Sequence, residues 1–251
     1  MKRTILTGVL VMAAVVPGLM AQQMKVKSKA EGEAVQALFA AEPQGPDAVI
    51  KAADALIDKF ADTQFKEVAL LVEATAYQQK GDYASAEVTN ERVLEIDPKN
   101  PQAAMQLGEV ILLRVGDNDL DKDVQLAKAE KDFKQAVANI DNKPSAGMPD
   151  ATWAENKKYV QAQTENDLGL VEMKRKNFDA AVTDFKLAVD GDPQPAYEVR
   201  LAVADQKAGK NDEALAICDK LLADPQLHPA IKRLAVGVKT IATQAKAAGA
   251  K

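Results

Sequence analysis

Four aspartates alternate along the chain at Asp117, Asp119, Asp121 and Asp123, a dense set of potential metal ligands. Calcium is held by several oxygens supplied from one short loop, so the run invites that reading. With Asp117 as first position, the sixth is Lys122, where such a loop turns on glycine, and the twelfth is Lys128, where a bidentate glutamate closes the shell. The run therefore reads as a solvated acidic turn. Zinc needs three or four His, Cys or carboxylate ligands, and the chain has one His and one Cys. His228 lies in Pro225-Gln226-Leu227-His228-Pro229 without a nucleophile motif beside it, so it reads as a loop residue or helix cap, not a general base. Cys218 falls at a packed helix position and reads as a small core residue. Gly108, Gly116, Gly169 and Gly209 stand singly and form no phosphate-binding loop. This inventory predicts no catalytic residue, no metal site and no cofactor.

The elements that carry these residues are helical. Of 251 residues, 47% are hydrophobic but only 4% aromatic, and alanine is abundant. That favours helices packed closely through small side chains over a β-sandwich. One unit runs from Glu67 to Asn100: Leu70, Ala74 and Tyr77 share a helical face, Gly81 ends that helix, Ala86 lies in the next, and Pro98 stops it. The same grammar returns three times. Residues 101–144 carry Leu107-Gly108, then Ala129, Phe133 and Ala136; residues 162–195 carry Leu168-Gly169, then Phe178, Ala181, Phe185, Ala188 and Pro193. A last unit carries Leu201-Ala202, Gly209, Ala214 and Pro225.

This pattern resembles the tetratricopeptide repeat (TPR), a 34-residue helix–turn–helix with Leu-Gly and Tyr in its first helix and Ala-x3-Phe then Pro in its second. The resemblance implies an all-α, right-handed solenoid of stacked antiparallel helix pairs. Ala86, Ala129, Ala181 and Ala214 are equivalent positions, and their spacing places insertions near 116–124 and 142–161. The sequence departs from the family in lacking the first-helix Trp and in carrying Asn90 and Cys218 at large second-helix positions. Residues 22–66 read as a degenerate first repeat, 67–228 as the array, and 229–251 as a capping helix with a frayed tail, its apolar face formed by Ile231, Leu234, Val238 and Ile241.

In this family the first helices line the concave side. Register then nominates, as exposed groove positions, Leu71, Thr75 and Gln78; Met105, Glu109 and Leu112; Asn166, Leu170 and Met173; and Val199, Val203 and Gln206. The surface mixes apolar and uncharged polar side chains and suits an apolar helix or extended peptide. The family's basic clamp for carboxyl-terminal acidic peptides has only Asn166 and Arg200 as partial candidates. Trp153, at the start of a lengthened helix capped by Asp150, is a candidate anchor in the second insertion.

The amino terminus has Lys2 and Arg3, an apolar run from Ile5 to Val16, then Pro17, Gly18 and the small Ala21. This is the order of a cleaved secretory signal, residues 1–21, and the apolar run is too short to span a bilayer. The expected mature chain is exported, periplasmic or secreted, without a stable membrane anchor. Its formal charge of −7, after loss of Lys2 and Arg3, disfavours nucleic acid. The expectation is a non-catalytic protein- or peptide-binding scaffold of the bacterial envelope. Two alternatives stand beside it. One is an enzyme, for example a hydrolase, whose site lies in the 142–161 insertion or in carboxylates alone, marked by two opposed acids of raised pKa in a shared pocket. The other is a structural self-associating protein.

Overall fold

The computed structural model describes residues 26–142 and 150–249. Among them are eleven α-helices and no strand. In order these are α1 Lys29–Ala40, α2 Pro46–Lys59, α3 Lys66–Lys80, α4 Tyr83–Ile96, α5 Pro101–Arg114 and α6 Lys122–Ala138. There follow α7 Asp150–Arg175, α8 Phe178–Gly191, α9 Pro195–Lys207, α10 Asn211–Leu222 and α11 Pro229–Gly249. The signal expected at 1–21 lies outside the described residues, as does part of the second insertion, 143–149.

Local chemistry sets the helix ends. Pro46, Pro101 and Pro195 open α2, α5 and α9, where a missing N–H leaves no bond unmade. Side-chain oxygens of Ser28, Asp82 and Asn100 accept from the backbone N–H of Glu31, Ser85 and Ala103 and cap α1, α4 and α5. Gly81 ends α3 at φ 77°, its N–H donating to Gln78 O while that of Asp82 donates to Tyr77 O. The same paired bonds close α9 at Gly209 and α7 at Lys176, whose φ of 66° is the one positive value at a non-glycine among the described residues.

The helices stack as an α-solenoid. Each of α3, α5, α7 and α9 packs on the helix that follows it and on the one before, and α3 also touches α5, as α5 touches α7. These first helices therefore form an inner layer covered from several sides. In α5, eleven of fourteen residues are buried, against four of fourteen in α4. The second insertion appears as added length in α7, which has 26 residues where α3, α5 and α9 have 15, 14 and 13.

Within each pair, one close approach governs the choice of residues. A methyl group on Gly108 would fall 2.5–2.8 Å from three ring carbons of Phe133, and one on Gly169 would fall 2.7–3.0 Å from the ring of Phe185. Both rings are buried. Where the first helix instead carries Ala74 or Ala202, the equivalent second-helix residue shrinks to Asn90 or Cys218, all of them fully buried. The departures from the family pattern at these positions thus compensate one another inside each unit.

The last helix differs from its expected register. α11 packs on α9 and α10 through Ile231, Ala235, Val238 and Ala242, while Leu234 and Ile241 stay exposed. Alanine permits the close approach that the stack demands, so the small side chains face inward and the large ones are left outside.

Candidate functional site

The first helices bring the twelve groove positions into three rows, one residue per unit in each. The row Leu71, Met105, Asn166 and Val199 is buried throughout, which corrects its expected exposure. Leu112 is also buried, at 8% exposure. The open surface consists of Thr75, Glu109, Leu170 and Val203 in one row and Gln78, Met173 and Gln206 in the other, all half-buried. It is polar in the first two units and apolar at Leu170, Met173 and Val203 in the last two. Leu170 and Met173 rest on a cluster shared by α8 and α9, built from Val182, Phe185, Leu201 and Ala204.

From this surface inward runs a partly buried chain of side-chain hydrogen bonds that sequence reasoning missed. Gln78 Nε2 donates to Glu109 Oε2 at 3.1 Å, and Gln163 Nε2 donates to Glu109 Oε1 at 3.3 Å and to Asp167 Oδ2 at 2.9 Å. Tyr197 OH donates to Gln163 Oε1 at 2.8 Å. In parallel, Asn166 Nδ2 donates to Asp167 Oδ1 at 2.9 Å, and Asn166 Oδ1 accepts from Arg200 at 2.7 Å. The line joins all four units, and its sequence trace is polar residues at interior first-helix positions separated by about one repeat, such as Asn166 and Arg200.

Glu109 and Asp167 flank the Gln163 amide, which donates to both. Burial is the main force raising both carboxyls above their usual range. The charge of Glu109 lifts Asp167 further, and Arg200 opposes the shift in each. These are two opposed acids of raised pKa, half of the signature that would mark an enzyme. The other half is a shared pocket. Asp167 is buried, and a shallow cleft lies elsewhere, where Lys176–Ala180 meet Lys207 and Ala208. The pair lies where α5 and α7 touch, with Asp167 buried and Glu109 half-buried.

The remaining candidates are placed as follows. Trp153 is buried at 9% exposure, so its side chain is not offered to a partner as the expected anchor. His228 is exposed, and its Nδ1 accepts from the N–H of Ala230 at the start of α11. Cys218 is buried in the core. Asp119 Oδ2 accepts from Gly116 N–H and Asp121 Oδ2 from the Gln125 amide. Among the described residues no three His, Cys, Asp or Glu side chains gather as a metal site.

A stacked array of helix pairs with an open inner surface defines the class. Residues 69–100, which span α4 and most of α3, match the tetratricopeptide repeat family. Among solved structures, a thermophilic TPR protein of Thermus thermophilus superposes with a TM-score of 0.61 at 18% identity, covering 83% of this chain and 98% of that one. The MamA protein superposes with a TM-score of 0.54 at 17% identity, covering 77% and 90%. A MamA segment from Desulfovibrio magneticus RS-1 gives 0.53 at 16%, covering 79% and 96%. At such identities the likeness is one of fold. No curated protein matches the chain in sequence.

Proposed function

We propose that the chain is a protein- or peptide-binding scaffold of the cell envelope, exported by the signal at residues 1–21, with no catalytic role. The observation that carries the reading is the open apolar strip of Leu170, Met173 and Val203 on α7 and α9, beside the polar strip of Thr75, Gln78 and Glu109 on α3 and α5. A rigid inner layer offers a preorganised surface, which lowers the ordering cost of binding. Its apolar end fits an apolar side-chain face and its polar end fits backbone or amide groups, so an amphipathic peptide segment matches it along its length.

A photo-cross-linking residue at Met173 tests the groove, with one at the exposed Leu187 of α8 as the outer control. Adducts from an envelope fraction are expected at Met173 alone, and Leu170→Gln with Val203→Thr should remove them without changing helicity. Equal adducts from both positions refute the groove. Amino-terminal sequencing of the fractionated protein should begin at Gln22. A cytoplasmic chain retaining Met1 refutes export.

A further inference from the structure

α11 has two unlike flanks. Its buried face, Ile231, Ala235, Val238 and Ala242, lies on α9 and α10. To one side of that face, Lys239 and Lys246 pair with Asp219 and Asp212 of α10, which turns this flank toward α10. At about 100° per residue, Leu234 and Ile241 fall on the other side of the buried face, and so toward α9. They are 52% and 49% exposed.

On α9 the open groove row ends at Val203, which packs against the same cluster that holds the buried face of α11. The apolar strip of Leu170, Met173 and Val203 therefore continues onto α11 as Leu234 and Ile241. The continuation has a gap in it. Gly237 shares the face of Leu234 and Ile241, three residues after one and four before the other, and no atom stands within 4 Å of the place its Cβ would occupy. The charge also changes along the groove. Glu109 stands at the α5 end, whereas residues 229–249 contain no acid. Arg233, exposed one turn before Gly237, makes no side-chain ion pair among the described residues.

We propose that the groove extends over α11 and takes a partner segment that is apolar along α7, α9 and α11 and carries an acidic residue where it passes Arg233. One apolar side chain of the segment enters the gap at Gly237, between Leu234 and Ile241. Packed helices lie about 8–10 Å apart, so the strip from α7 to α11 is roughly 20 Å long. That is about 13 residues of helix or about 6 of extended chain. Pairing with Arg233 fixes which end of the segment lies over α11, because the reversed segment would bring its acid toward Glu109. The inference rests on the groove reading and adds to it a third helix and a direction.

The probe is a phage-displayed library of random peptides of about 16 residues, long enough to cover the strip as a helix, selected on the whole purified chain. Enriched peptides should carry apolar residues three and four apart and an acid at one end. With one such peptide, synthesised and fluorescently labelled, Leu234→Asp with Ile241→Asp should weaken binding at least about tenfold without altering the melting curve. Val236→Asp, at a side chain exposed on another face of α11, should leave binding unchanged. Arg233→Glu should weaken binding, and replacing the peptide's acid with lysine should restore it. Loss on Leu170→Gln with Val203→Thr but not on the α11 changes overturns the extension and leaves the groove. Binding indifferent to both sets overturns both readings. No enriched peptide, or an acid swap without effect, overturns the proposal. So does a ridge occupied by another copy, seen as a dimer that Leu234→Asp dissolves, or by phosphatidylglycerol vesicles that bind through it.

Discussion

Gly108→Ala isolates the packing rule that links the two helices of a unit. The added methyl falls 2.5–2.8 Å from three carbons of the Phe133 ring, about 1 Å inside ordinary carbon contact. The ring is fully buried among Met105, Ile111, Leu126 and Val160, so it has little room to retreat. Overpacking of this kind costs about 1–3 kcal/mol, while alanine returns about 0.8–1 kcal/mol of helix propensity relative to glycine. The expected net loss is about 1 kcal/mol. Phe133→Cys alone empties the site and should cost about 3–4 kcal/mol. In the double variant the clash disappears with the ring, reproducing the Ala202 and Cys218 pairing, so the two effects should couple by about 1–2 kcal/mol. Urea unfolding followed by fluorescence of Trp153, the chain's single tryptophan, buried in α7, reads the neighbouring region. A Gly108→Ala midpoint at or above wild type, or strict additivity in the double variant, refutes the reasoning.

Three further outcomes follow from particular residues. Lys176→Gly relieves a left-handed backbone at the end of α7 and should stabilise by about 0.5–1 kcal/mol in the same urea titration. Burial, aided by the charge of Asp54, pushes the Glu73 carboxyl up to about 7 from 4.5. A folded pKa above the unfolded one means stability is full below pH 4.5 and is lost as pH rises through 7, by roughly 3 kcal/mol. Glu73→Gln should therefore melt higher than wild type at about pH 8 and converge with it in acid. Asp167 obeys the same sign: burial raises its carboxyl, so the α5–α7 contact is stabilised while the group is protonated and weakened as rising pH ionises it. Hydrogen exchange in α5 and α7 should accelerate with pH beyond the intrinsic rate in wild type, and Asp167→Asn should flatten that increase.

Helix boundaries were legible because they depend on local chemistry. Gly81, Pro98 and Pro193 mark where a helix cannot continue, and α3, α4 and α8 end at Lys80, Ile96 and Gly191. Faces were less legible, because a period of 3.6 identifies which residues share a side but not how many neighbours cover it. The row of Leu71, Met105, Asn166 and Val199 has the spacing of a groove row, yet each side chain is buried. The same limit moved the buried face of α11 from Leu234 and Ile241 to Ala235 and Ala242, since size suggests burial and close approach selects smallness. The Glu109–Asp167 pair was hidden for another reason. Its residues lie 58 positions apart, and an elaborated connection obscures that they sit on touching helices.

The buried polar line also explains why the units are not interchangeable. Gln106, Asp167 and Arg200 occupy equivalent positions in successive first helices, and each meets a different partner in the preceding unit. Gln106 donates to Thr75, Asp167 shares the Gln163 amide with Glu109, and Arg200 donates to Asn166. A buried charge left without its partner costs about 3–5 kcal/mol. Arg200 in the slot of Asp167 would lose its bond to Asn166, and Asp167 in the slot of Gln106 would face Thr75 without the Gln163 and Asn166 amides that donate to it. Apolar repeats would stack in any order, whereas these fix one order and so one sequence of groove chemistry. The polar strip over α3 and α5 and the apolar strip over α7 and α9 then hold a constant arrangement, on which the proposed partner binding depends.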